Sequence, residues 1–223
     1  MARLARVVAP GLPHLITQRG NRGEQTFFCD KDYEIYRELM AESCGAHRVE
    51  IWAYSLMPDH VDMIAVPRSA DGLRRAIGEA HRRYTRSVNL REGWRGHLWQ
   101  GRFASFVLDE PHLLTAARYV ELEPVRSGLV DTPRRYPWSS AAAHQRGRND
   151  TLVRVAPLLE RAPKWRALLA RVLRDEDVRL LRAHEQTGRP LGAEAFVGKL
   201  EQKLGRVLRR QKPGPKPRAR PRS

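Results

Sequence analysis

Residues 51–67, IWAYSLMPDHVDMIAVP, restrict the fold more than any other stretch of the chain. Val, Ile, Trp and Tyr dominate 49–56, and Val61, Met63, Ile64, Ala65 and Val66 fill most of 60–66. Met57-Pro58-Asp59 between them has turn chemistry, because proline presets φ and aspartate bonds its own backbone. The pattern predicts two short strands joined by a tight turn. Side chains two apart in a strand share a face. His60 and Asp62 therefore project together, while Val61 between them enters a core. An imidazole beside a carboxylate can hold a metal ion, although such a pair is more often a hydrogen-bonded surface feature.

The flanking segments extend this hairpin. Residues 13–18 (PHLITQ) read as a first strand, followed by a basic loop over 19–23. A helix is expected from Asp30 to about Cys44, with Tyr33, Tyr36, Met40 and Cys44 inward. A second helix is expected over 69–89, burying Leu73, Ile77, Ala80, Tyr84 and Val88. Arg74, Arg75, Arg82, Arg83 and Arg86 crowd its other face. Residues 97–108 read as a further strand with Trp99, Phe103 and Val107 on one side and a bulge near Gly101. Asp109 and Pro111 open a third helix that runs to about Glu123, where Pro124 ends or kinks it. Tyr119 and Glu123, four apart, are expected to share one face of that helix. Residues 152–183 read as helical, and a last helix is expected over 193–210. Residues 211–223 alternate proline with Lys and Arg, contain no acid, and are expected to be disordered. Strand, helix, strand pair, helix, strand, helix is an α+β arrangement: a ferredoxin-like antiparallel sheet with flanking helices. A helical C-terminal extension and the basic tail follow. The expected divisions are 1–145, 146–210 and 211–223.

The charge points to a polyanion. The 223 residues hold 41 Lys+Arg against 25 Asp+Glu, a formal net charge of +16. Nucleic acid is the first candidate partner. An anionic membrane is the weaker one, since no apolar run approaches the ~20 residues that span a bilayer. Arg19, Arg22, Arg82, Arg83, Arg86, Arg102 and Arg126 are the candidate nucleic-acid contacts. Residues 1–10 have charge without a long apolar run, so no secretory leader is expected and the location is read as cytoplasmic and nucleoid-associated. Cys29 and Cys44 have no zinc-binding spacing and are read as reduced, packed thiols.

Six segments occur in a set order: PHLITQRGNR, Phe27-Phe28, SLMPDHVDMIAVP, LWQGRFASFVLD, ARYVELEPVRSGLV and RYPWSSAAAH. In that order they resemble the single-tyrosine transposases of the His-hydrophobic-His endonuclease superfamily. Within it the resemblance is to the transposases associated with repetitive extragenic palindromes. It spans roughly the first 145 residues. The later stretch TGRPLGAEAFVGKLE with its basic tail is similar to the extension many of those proteins carry. The resemblance implies cleavage of single-stranded DNA beside a hairpin, by a tyrosine nucleophile and Mg²⁺ or Mn²⁺. Tyr119 matches the nucleophile, His60 the first metal histidine, and Glu123 the position of a further ligand.

The second metal position has histidine in the family pattern and Asp62 here. Mg²⁺ and Mn²⁺ favour oxygen donors, so His60, Asp62 and Glu123 form a harder set than two histidines would. Two readings follow. One is an active strand-cleaving and strand-joining transposase. The alternative is a hairpin DNA- or RNA-binding protein derived from one, with impaired catalysis. Tyr84 is the second candidate nucleophile, though its apolar stripe favours packing. A monomer is expected, with a dimer left open.

Overall fold

A computed structural model describes residues 5–210. The basic tail at 211–223, for which disorder was the expectation, lies outside the described residues.

The hairpin forms as its pattern requires. Strand β2 (Val49–Leu56) pairs antiparallel with β3 (His60–Pro67), and β3 pairs antiparallel with β1 (His14–Arg19). Strand β4 (Ala104–Val107) adds to the other edge of β1, giving the order β2-β3-β1-β4. This is the ferredoxin-like sheet. The alternation along β3 sorts its side chains between two cores. Val61, Met63 and Ala65 pack with Ile16 against α1 (Asp30–Ala46) and α2 (Gly72–Glu92). Ile64 packs with Leu15 and Ala53 against α3 (Glu110–Glu121). His60 and Asp62 share the parity of Ile64, so they stand on the α3 face.

Tyr84 is packed on α2 with its hydroxyl donating to the Thr26 carbonyl at 2.7 Å, consistent with a core role. Asp109 caps α3 by accepting from the His112 backbone N–H at 3.1 Å. Cys44 is buried, but Cys29 is exposed, so the packed-thiol expectation holds for Cys44 alone.

Five elements differ in extent from the sequence pattern. The strand expected over 97–108 is interrupted. Asn21 N–H donates to Leu98 at 2.8 Å and Gln100 N–H to Arg19 at 2.9 Å. Gly101, at φ 60°, then turns the chain, and regular pairing resumes only at Ala104. Helix α2 starts at Gly72 because Ser69 and Asp71 bond each other in a turn. The third helix stops at Glu121, and a separate turn, α4 (Glu123–Arg126), carries Glu123 and Pro124. Proline has no N–H to continue the ladder. The helix expected over 152–183 is three: α6 (Ala156–Arg161), α7 (Trp165–Ala170) and α8 (Asp175–Thr187), after a short α5 (Ala141–Arg146). Pro163 and the extended Arg171 and Arg174 separate them. Helix α9 covers Glu194–Leu204, shorter than expected.

Two isolated bridges tie described residues after 146 to the sheet region. Val153 bridges to Ile51 and Leu191 to Leu108. Helix α8 lies against β4, β1 and α3. No helix among the described residues is long and apolar enough to cross a membrane.

Candidate active site

The site lies at the start of β3, on the α3 face. His60 is opposite Arg19 in the register, and Asp62 is opposite Thr17. Both side chains are buried, Asp62 completely. Thr17 donates its hydroxyl to Asp62 Oδ1 at 2.6 Å. Asp62 Oδ2 has no hydrogen-bond partner. His60 Nε2 lies 3.7 Å from it. The other ring nitrogen, Nδ1, is 2.6 Å from Asp59 Oδ1. A carboxylate at Nδ1 favours the tautomer that leaves a lone pair on Nε2. The pair therefore presents one imidazole nitrogen and one uncompensated carboxylate oxygen to the same point. No arginine pairs with Asp62 among the described residues, so a salt bridge does not account for its burial.

Tyr119 is buried at the end of α3. Burial raises its hydroxyl pKa above the usual range, and the Asp62 carboxylate adds to that. Arg182, hydrogen-bonded to the Tyr119 side chain, and the Arg126 charge pull the other way. The Arg126 guanidinium carbon lies 4.3 Å from the ring centroid. A buried phenol flanked by two guanidinium groups is placed to become a phenolate once the local negative charge is balanced.

Glu123 stands apart from the pair. It is ion-paired with Arg126 and accepts from Ser127 Oγ at 3.4 Å. Because α3 ends before it, Tyr119 and Glu123 do not sit on one continuous helical face. Among the described residues, no group of three or more His, Cys, Asp or Glu is arranged to hold a metal ion. His60 Nε2 and Asp62 Oδ2 are donors of a kind that suits a divalent cation, whereas Glu123 is engaged by Arg126.

Half of the chain, residues 12–123, matches the family model described as "Transposase IS200 like". The chain belongs to the IS200-like transposase family. Its fold is similar to that of a REP-associated tyrosine transposase solved bound to a REP hairpin. That structure aligns with a TM-score of 0.57 and 21% identity, covering 68% of this chain and 90% of that one. A structure from Deinococcus radiodurans R1, assigned as a transposase, aligns with a TM-score of 0.38 and 20% identity over 54% of this chain and 96% of that one. No curated protein matches the chain.

The candidate site also draws on side chains that the motifs did not reveal. Arg182 and Glu185 come from α8, outside the family-matched segment. Glu185 reaches Arg19 at 3.7 Å. Burial raises its carboxyl pKa and Asp62 adds to it, while Arg19, His60 and Arg182 oppose. Thr17 and Asp59 are the hydrogen-bond partners of Asp62 and His60. Their sequence signal is weak: Asp59 reads as a turn residue and Thr17 as an ordinary strand threonine.

The candidate nucleic-acid contacts fall into three groups. Arg22, Arg86 and Arg102 are exposed. Arg82 is paired with Glu79 at 2.7 Å, and Arg83 with Glu42 at 2.8 Å, so part of the arginine face of α2 is compensated. Arg19 and Arg126 belong to the site itself, Arg126 with only 24% of its side chain exposed.

Proposed function

We propose that this transposase cleaves and rejoins single-stranded DNA beside a hairpin, with Tyr119 as nucleophile. One observation carries the reading: the buried Tyr119 phenol shares its surroundings with Asp62, whose Oδ2 is uncompensated, and with two arginines. The phenolate oxygen attacks the scissile phosphorus, the bond to the 3′ oxygen breaks, and the 3′ oxygen leaves as a hydroxyl. The product is a 5′-phosphotyrosine link. One phosphodiester replaces another, so a second 3′-hydroxyl can reverse the exchange without ATP.

His60 and Asp62 would hold Mg²⁺ or Mn²⁺ through Nε2 and Oδ2. Two protein donors suit cations that keep waters and take substrate phosphate oxygens as further ligands. Bound there, the cation would supply Lewis-acid polarisation of the phosphate. Arg126 and Arg182 hold the tyrosine and offset charge on its oxygen. Arg19 lies at the same strand end as His60. The hairpin partner is proposed from the bound DNA of the structural relative and from the net charge of +16. A monomer acting in the cytoplasm fits this reading.

The decisive experiment incubates purified protein with end-labelled single-stranded hairpin DNA and Mn²⁺ and separates products on a denaturing gel. A covalent adduct that needs Tyr119 is the expected result. Tight hairpin binding without any adduct would instead favour the second reading, a hairpin-binding protein with impaired catalysis. The observation behind that alternative is the restraint of Glu123 by Arg126.

A further inference from the structure

The α2 side of the sheet, opposite Tyr119, carries exposed aromatic surface that the cleavage chemistry does not use. Trp94, in the loop after α2, is 50% exposed, and Phe28 is 37% exposed. The two rings meet edge to face with centroids 5.4 Å apart. The Arg91 guanidinium carbon lies 5.9 Å from the Phe28 ring centroid, closing the far side of the pair. Trp94 is therefore held by a neighbour while half of its surface stays in water.

Hollows flank it on both sides. One of about 240 Å³ runs from Trp94 toward Asn21 and His97. Another, of about 340 Å³, runs toward Arg86 and Leu90. Arg95 and Glu24 line the first hollow and Arg82 and Arg86 the second; Arg82 is paired with Glu79, whereas Arg86 and Arg95 make no ion pair among the described residues. A groove of about 620 Å³ that reaches Arg102 shares Asn21, His97 and Leu98 with the first hollow as lining. Asn21 N–H bonds Leu98 at 2.8 Å on the groove side, and Gly20 N–H bonds Asp59 at 2.7 Å beside His60.

A rigid, half-exposed indole between unpaired arginines is the chemistry of a stacking platform for nucleic acid. We infer that Trp94, backed by Phe28, stacks one unpaired base of single-stranded DNA flanking the hairpin, while Arg86 and Arg95 hold the adjoining phosphates. This rests on the reading of the substrate as DNA with a single-stranded flank. Stacking tolerates any base, so the contact adds affinity for the flank without choosing its sequence.

The test uses the full chain and fluorescence anisotropy with three labelled DNAs: a bare hairpin, the same hairpin with a single-stranded flank, and unstructured oligothymidylate. Wild type, Trp94→Ala and Trp94→Phe are compared. Loss of one stacked base is expected to weaken Trp94→Ala roughly tenfold on the flanked hairpin and on oligothymidylate. The bare hairpin should bind as before, and Trp94→Phe should recover most of the loss. Equal binding of flanked DNA by Trp94→Ala and wild type overturns the inference. So does an equal loss on all three DNAs. If wild type ignores the bare hairpin, the proposed hairpin function fails, and the oligothymidylate comparison still decides Trp94.

Discussion

Arg126 donates to the Tyr119 carbonyl at 3.0 Å while its guanidinium carbon lies 4.3 Å from the centroid of the same tyrosine ring. It also pairs with Glu123. One planar fork thus fixes the tyrosine's ring, its backbone and the carboxylate that follows it. Lysine keeps the charge but has neither the fork nor the flat face. Arg126→Lys is expected to lower the rate of adduct formation by about a hundredfold, as misplacement of a reacting group does. An unchanged single-turnover rate would show that Arg126 does not position Tyr119.

Tyr119→Phe removes only the hydroxyl. It should abolish the covalent adduct and leave hairpin affinity within about twofold of wild type. With Arg182 exposed, the loss of the hydroxyl should cost less than about 1 kcal/mol of stability. Chemical denaturation will register that, and persistent adduct in the Phe variant would move the nucleophile elsewhere.

Asp62 supplies the sharpest test of metal binding. Its Oδ2 is buried without a partner, an electrostatic cost that a cation relieves. Mn²⁺ at a hundredfold excess over its dissociation constant should stabilise wild type by about 2.7 kcal/mol. Asp62→Asn should lose that gain, yet be no less stable than wild type without metal, because the amide oxygen still accepts from Thr17. Asp62→His should keep the response to Mn²⁺. The same Mn²⁺-induced rise in Tm in wild type and Asp62→Asn would sink the assignment.

Acid should weaken the fold through His14. Burial lowers its pKa from 6.5 to about 4. Nδ1 is 2.8 Å from the Leu12 carbonyl, and Nε2 accepts from the Ala9 N–H at 3.1 Å, so both nitrogens are committed to the neutral ring. The unfolded chain takes the proton first, so stability falls as pH drops from 6.5 toward 4. His14 alone accounts for about 2 kcal/mol at pH 5. His81, lowered to about 3 by burial, acts with the same sign. Urea midpoints at pH 7 and pH 5 should fall less steeply for His14→Gln than for wild type. Parallel curves would exclude His14 as a source.

The parts of this fold that were legible in the sequence are those set by short-range rules. The β2–β3 hairpin follows from alternation and a proline turn, and the same alternation puts His60 and Asp62 on one face. Asp109 announces its cap, and Pro124 announces a break. What Pro124 does to Glu123 was not legible: the break turns a presumed ligand toward Arg126. Arg182 and Glu185 were hidden for a different reason. They sit more than a hundred residues after His60, near the end of α8, where charges ordinarily face water. Only the packing of α8 on β1, β4 and α3 brings Glu185, half-buried, to Arg19, while Arg182 stays exposed at the edge of the site.

The Arg19–Glu185 pair also bears on how such a chain can be recombined. Arg19 lies within residues 12–123 and Glu185 lies beyond them. A chimaera that exchanges only that segment between relatives would set an Arg19 from one parent against an α8 from the other. A truncation after residue 145 would leave Tyr119 without Arg182 and strip Leu181 and Val178 from the core in which it packs. For protein engineering the transferable unit is the sheet together with α8, longer than the stretch by which the family is recognised.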